Sequence, residues 1–276
     1  VSIEAFDRVH LDGTGIDRIT EDEVVAVVRD ALAHGRGGRI ITPNIDILRR
    51  AAADPRSRRH LDDADLIVAD GMPLVWASRL GGAPLPERVA GSSLIWSLSR
   101  GLGRDGRSVF VIGGAPATED RPAGAVRAAA RLQAEAPGLR IAGAVSPEFG
   151  FERREARYAR FRAEVIEAVP DLVFVGLGFP KQELVIERLR RHLPSAWFIG
   201  CGAAVNFVAG DVHRAPRWMQ RTGLEWAHRL GVEPRRLAGR YLRHDAPYAL
   251  RLLARAPRGA RERPTVTPAK SPASRR

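Results

Sequence analysis

The chain has 276 residues, 45% of them apolar and 28% charged, with a formal net charge of +12. That is enough length to bury a full core, as one large domain or a domain with an appendage, and the mix is that of a soluble globular protein. One cysteine, Cys201, excludes an intramolecular disulfide and fits a reducing compartment, and no apolar run approaches the ~20 residues a membrane span needs.

In chain order, short β-branched runs alternate with longer amphipathic stretches. Strands are predicted at residues 39–42, 66–69, 108–112, 140–145, 171–176 and 196–200. Helices are predicted at 45–53, 73–80, 92–102, 119–136, 152–168 and 181–192. The alternation predicts an α/β fold with a mainly parallel sheet flanked by helices. After Ala215 the strand signal ends and short helices broken by Pro and Gly take over. Charge changes at the same place. Residues 211–276 hold 16 of the 44 Lys+Arg and 5 of the 32 Asp+Glu, a net of +11, which leaves +1 for residues 1–210. The expected division is therefore an α/β domain at 1–210, a basic helical appendage at 211–255 and a disordered basic tail at 256–276. A near-neutral body with a cationic end points to an anionic partner: a membrane surface, nucleic acid or a phosphorylated substrate. With no basic-then-apolar leader evident, a cytosolic protein with peripheral membrane contact is expected.

Ligands of open α/β sheets bind at the carboxyl ends of the strands, so the residues just after strands are the candidates. Thr42-Pro43-Asn44 follows the first strand, where Thr or Asn is also an ordinary helix cap. Asp70 follows an apolar strand and precedes Gly71; a carboxylate in that position can be desolvated and act as a general base, or serve as a plain turn residue. Gly113 and Gly114 close the strand at 108–112 and suit a nucleotide contact. DLVFVGLGFPKQE reads as a strand, a glycine turn and a helix opening on Pro180. Its Gly178 allows close backbone approach, and Lys181 is a candidate diphosphate contact or a solvated helix-start lysine. Gln182 could bond a sugar or base, and Glu183 complements the helix N-terminus. The dinucleotide fingerprint fails, because Lys181 stands where its third glycine belongs and no acidic residue lies about 20 positions on. Asp63-Ala64-Asp65 precedes its strand and is read as a loop, so no metal site is expected; the seven histidines have no ligand spacing. Cys201, in an apolar setting, is read as an inert buried thiol.

Taken together and in order, ITPNIDIL, LIVADGMPLVW, LPERVAGSSL, FVGLGFPKQE, GCGAAVNFVAG, RAPRWMQRTGLEWAHRL and EPRRLAGRY resemble the WecG/TagA/CpsF family of glycosyltransferases, from about Thr42 to Tyr241. The resemblance implies a Rossmann-like domain and an inverting transfer from a UDP-sugar to a polyprenyl-diphosphate-linked N-acetylglucosamine, with N-acetylmannosamine as the donor sugar in TagA-like members. It implies no cofactor and no required metal. It assigns the catalytic base to Asp70, appendage arginines to Arg214, Arg229 and Arg236, and substrate contacts to Thr42, Asn44 and Gln182; Arg88, Gly113, Gly178 and Lys181 complete the candidate substrate contacts. It also implies that the appendage docks on an anionic membrane surface on its cytoplasmic face, where the lipid-linked acceptor resides, with no nucleic-acid partner and with homo-oligomerisation left open. One departure stands out: Gly239 precedes Arg240 where the family often has two adjacent basic residues, so either Arg240 substitutes or a phosphate contact is lost. The residues by themselves also admit two rivals. A nucleic-acid-binding protein could stack bases on Trp218, Trp226 and Tyr241, and an NAD(P)-dependent oxidoreductase could use the glycine turns.

Overall fold

A computed structural model describes residues 6–259, which form two compact units, each built from separate stretches of chain. In chain order the strands are β1 (Arg8–Leu11), β2 (Thr14–Asp17), β3 (Gly38–Ile41), β4 (Leu66–Ile67), β5 (Ser108–Gly113), β6 (Arg140–Val145), β7 (Leu172–Gly176) and β8 (Trp197–Gly200).

The first unit comprises residues 21–41 and 91–213. Its strands run in the order β3-β8-β7-β5-β6, and every pairing among them is parallel. Successive side chains point to opposite faces, so the inner strands, buried on both, read as nearly unbroken apolar runs. Phe110, Ile112, Val173, Val175 and Phe198 share one core with residues of the helices Glu155–Glu167 and Lys181–Arg190. Their neighbours Val109, Val111, Leu172 and Phe174 are also fully buried, so the sheet is covered on both faces. Helices Gly91–Arg104, Gly124–Glu135 and Ala204–Ala209 pack together around β5 and β7. This is the expected α/β architecture, a parallel sheet flanked by helices.

Element limits shifted where local chemistry intervened. The helix expected from residue 119 starts at Gly124, after an isolated Thr118–Arg121 bridge and Pro122; there Gly114 and Gly124 touch, and a Cβ on either would stand under 3 Å from the other's backbone. Helix Glu21–Ala33, with Glu21, Asp22 and Glu23 in its first turn against the helix dipole, was not anticipated.

The second unit comprises residues 6–20, 42–90 and 214–259 of the described chain. The basic C-terminal segment thus belongs to the same unit as the Thr42–Asn44 and Asp70 segments. β1 and β2 form an antiparallel hairpin that sequence reading missed. Asp12 (φ 48°) and Gly13 (φ 77°) both occupy the left-handed region, as a two-residue hairpin turn demands. The buried Asp17 carboxylate at the end of the hairpin accepts from Arg8 Nε and from the Ile67 amide, both at 2.7 Å. That second bond ties the hairpin to β4, which leads directly to Asp70.

Beyond residue 214 come short helices at Arg217–Thr222, Glu225–Val232 and Pro234–Arg240, a π-helical turn at Tyr241–Asp245, and the helix Ala246–Gly259. An acid–arginine network holds the π turn against the helix Ile45–Ala53. Arg49 bonds Asp46 at 2.6 Å and Asp245 at 3.4 Å, and Arg240 reaches Asp245 at 3.4 Å. The final helix continues to Gly259, past the tail boundary expected at 255/256; residues 260–276 lie outside the described residues. Among the described residues no helix is long and apolar enough to cross a membrane.

Candidate active site

Three segments of the second unit are laid side by side by backbone hydrogen bonds. The Asp70 amide donates to the Pro43 carbonyl, and the Val89 amide donates to the Ala69 carbonyl, each at 2.9 Å. Thr42-Pro43-Asn44, Asp70 and Arg88 are therefore held in register. After Asp70 the backbone turns at Gly71 (φ 149°) into the helix Met72–Leu80, with Pro73 in its first turn. Gly223 (φ 78°) rests on the start of that helix, and a Cβ there would come within 2.7 Å of the Met72 Cβ. Two residues later Glu225 opens the helix Glu225–Val232, with Arg229 one turn on along the same face.

These placements gather one electrostatic cluster. Arg88 donates from Nη1 to Glu225 Oε2 at 2.9 Å, both side chains being only 14% exposed. Arg214 Nε lies 3.9 Å from Glu225 Oε1. Burial pushes the Asp70 carboxyl above the usual carboxylate range. The Arg88 charge opposes that shift, Glu225 adds to it, and Arg229 and Arg214 oppose it further. Burial acts on Glu225 in the same sense but is outweighed by the Arg88 hydrogen bond and the charges of Arg214, Arg88 and Arg229, so Glu225 lies below its usual range. Two neighbouring carboxyls thus have opposite tendencies: Asp70 is suited to take a proton, and Glu225 to stay charged.

Four of the residues singled out from sequence, Asp70, Arg88, Arg214 and Arg229, converge here; Glu225 was missed. The side chain of Arg236 lies outside the described residues. Thr42 is buried, and Asn44 caps the helix Ile45–Ala53 by accepting from the Ile47 amide at 3.1 Å. Arg240, the candidate replacement for a lost phosphate contact, is turned to Asp245 and lies over the Tyr241 ring.

In the first unit, the carboxyl ends of β5, β7 and β8 carry the remaining candidates. Gly178 has a φ of 77° and open space where a Cβ would be. Lys181 pairs with Glu152 at 3.2 Å and its ammonium sits 4.7 Å from the centre of the exposed Phe149 ring. Gly113 is required by packing: a Cβ would stand 2.5 Å from the Gly176 carbonyl oxygen, while Ser146 Oγ donates to the Gly113 carbonyl at 2.6 Å. Gln182, the expected sugar or base contact, is turned inward. It is 3% exposed, donates to Glu183 Oε1 at 2.9 Å and accepts from the Gly202 amide at 3.1 Å. Glu183 does more than complement a helix end, since it is fully buried and accepts from Arg39 at 2.5 Å. Cys201 is buried and its thiol is pushed up to about 12 by that burial, in line with an inert role.

The family model described as "Glycosyl transferase WecG/TagA/CpsF family" matches residues 9–262, nearly the whole chain. The chain belongs to this family. Among curated relatives, the N-acetylglucosaminyldiphosphoundecaprenol N-acetyl-beta-D-mannosaminyltransferase of Bacillus spizizenii is 34% identical over 205 residues, covering 74% of this chain and 75% of the relative. The protein of the same name from Bacillus subtilis is 33% identical over 198 residues, covering 72% and 73%.

A glycosyltransferase moves a sugar to an attacking hydroxyl, a reaction in which a proton acceptor and groups that stabilise developing negative charge can serve. Asp70 and the surrounding guanidiniums have those two chemistries. The oxidoreductase and nucleic-acid readings offered by the residues alone give way to the family.

Proposed function

We propose that this enzyme transfers N-acetylmannosamine from its UDP derivative to a polyprenyl-diphosphate-linked N-acetylglucosamine, with inversion at the anomeric carbon. The observation that carries the reading is the cluster of Asp70 with Arg88, Arg214, Arg229 and Glu225. The names of the two Bacillus relatives support the sugar and the acceptor. Asp70 takes the proton of the acceptor hydroxyl as that oxygen bonds to the anomeric carbon. The bond from that carbon to the β-phosphate oxygen breaks, and its electron pair leaves with UDP. Negative charge grows on the leaving diphosphate, where guanidiniums give charge-assisted, often bidentate hydrogen bonds. We assign that role to Arg88, Arg214 and Arg229, with Arg236 as a further contributor, and assign Gly178 and Lys181 to the donor. Thr42 and the amide of Asn44 border Asp70 through the Pro43 bond and are assigned to the reacting sugars.

The test is a panel of UDP-sugars offered with a short-chain lipid-diphosphate N-acetylglucosamine acceptor in the presence of EDTA. UDP-N-acetylmannosamine should give the dominant product, with the anomeric configuration opposite to that of the donor by NMR. A preference for another UDP-sugar overturns the donor assignment, and a retained configuration overturns inversion.

The acceptor's lipid lies in a membrane, and the basic segment of the second unit exposes Trp218, Trp226, Leu242 and Leu250 beside its arginines. Apolar groups interspersed with cations suit the cytoplasmic surface of an anionic bilayer. The full chain should sediment with vesicles containing phosphatidylglycerol, more weakly at high salt. Leu242→Asp/Leu250→Asp should bind less while keeping the wild-type melting temperature. Equal sedimentation of this variant would remove the exposed leucines from the contact.

A further inference from the structure

Glu225 has no role in the transfer chemistry just derived, yet its carboxylate lies between Arg88 and Arg214. We propose that Glu225 is the positioning residue for the active-site arginines: one carboxylate holds Arg88 on Oε2 and draws Arg214 towards Oε1, setting these cations before substrate arrives. The two arginines come from distant parts of the chain, and Arg88 and Glu225 are 137 residues apart. Their guanidiniums repel one another, and each ends a long side chain with many rotamers. An acid placed between them offsets the repulsion and fixes their geometry in advance.

The backbone holds Glu225 in place from two directions. Gly223 has no room for a side chain against Met72 and Trp76, so the turn preceding Glu225 sits on the helix that follows Asp70. Glu225 also occupies the first turn of its own helix, where the helix dipole favours a negative charge. The Arg88 bond keeps it ionised among Arg88, Arg214, Arg229 and Asp70, the charged groups that face it. Its charge has a second effect. It opposes the arginines around Asp70 and so sustains the basicity of that carboxylate.

The kinetic part of this inference rests on the proposed transfer reaction; the geometric part does not. Glu225→Gln retains a hydrogen-bond acceptor for Arg88 but loses the charge. It should lower kcat on the order of tenfold to a hundredfold, as misplacing a catalytic group does, with a smaller change in KM for the UDP-sugar. Its acidic limb in the pH profile of kcat should also move to lower pH, because Asp70 loses the neighbouring anion that raises it. Glu225→Asp should recover part of the rate. A merely structural glutamate would change the melting temperature and leave the limb in place.

NMR of arginine guanidinium Nη–H groups in the ligand-free full chain gives a readout free of any substrate. The Arg88 Nη–H that donates to Glu225 should show a slowly exchanging signal and slowed guanidinium rotation in the wild type, and both should be lost in Glu225→Gln. Unchanged arginine signals in that variant overturn the proposal, as does a kcat within about threefold of wild type with an unshifted limb. If the wild type transfers no sugar in the panel, the reaction assignment fails and the NMR comparison alone decides the role of Glu225.

Discussion

Asp70→Asn is expected to lower the transfer rate by about 10²–10⁴-fold, the usual worth of general-base assistance, while UDP still binds and the melting temperature stays near that of wild type. The asparagine is isosteric and can keep the backbone bond to Pro43, since that bond uses the Asp70 amide and not its side chain. What it cannot do is accept the hydroxyl proton. The same carboxylate should shape the pH profile. A base works when deprotonated, and Asp70 is raised by burial, so kcat should fall as pH drops through a value above the ordinary carboxylate range. Arg88, Arg214 and Arg229 pull the value down and Glu225 pushes it up, so the limb lies where these opposing charges leave it. Steady-state rates from acidic to neutral pH, with UDP binding measured in parallel by calorimetry, check both points. If Asp70→Asn keeps its rate, Asp70 is not the base. If it loses UDP binding and its melting transition together, Asp70 is a structural residue.

The parallel sheet was legible in the sequence because inner strands buried on both faces leave continuous apolar runs, which set β3, β5, β7 and β8 within a residue or two; the part-exposed edge strand β6 was placed as well. The hairpin β1–β2 was missed although Asp12-Gly13 between VHL and TGI is a hairpin signal; the flanking strands are four residues each, too short for alternation to stand out. Asp70 was identifiable because a carboxylate at the end of an apolar strand stands out against its surroundings. Arg88, Arg214 and Arg229 were named only through the family motifs, since in a chain with 42 arginines no composition argument selects three. Glu225 had a signal, an acid opening a helix inside a basic run, but its meaning depends on Arg88, and sequence spacing does not reveal a contact across 137 residues. The inward placement of Gln182 was hidden for a related reason. The PKQE motif locates a helix start beside a glycine turn, but which of its first side chains points inward depends on how the helix sits on β7 and β8. Here both Gln182 and Glu183 turn in, and a Cβ at Gly200 would collide with the pair.

That inward turn leads to the second large effect, on stability. Arg39 in β3 and Glu183 form an ion pair that is fully buried in the first unit, with their atoms 2.5 Å apart. Such a pair stabilises little compared with an apolar replacement, because desolvating two charges consumes most of their attraction. Removing one partner is different, since the other charge stays in the core without the opposite charge that balanced it. Glu183→Gln should therefore cost about 3–5 kcal/mol, a large share of the roughly 5–15 kcal/mol that holds a typical protein folded. The double replacement Arg39→Met/Glu183→Leu should recover most of that loss. Cys201 provides the measurement. Its thiol is buried and pushed up to about 12, first by burial, with the Glu183 charge adding to it, so the native state resists alkylation. Iodoacetamide labelling across a urea titration should report unfolding of the first unit at a clearly lower midpoint for Glu183→Gln, with the double variant near wild type. A single variant as stable as wild type would mean that water or a local shift compensates Arg39, and that the pair is not what fixes Glu183 in the core. The double variant also separates stability from chemistry. If it folds like wild type and still transfers sugar, the buried pair serves only to anchor the helix that begins at Lys181.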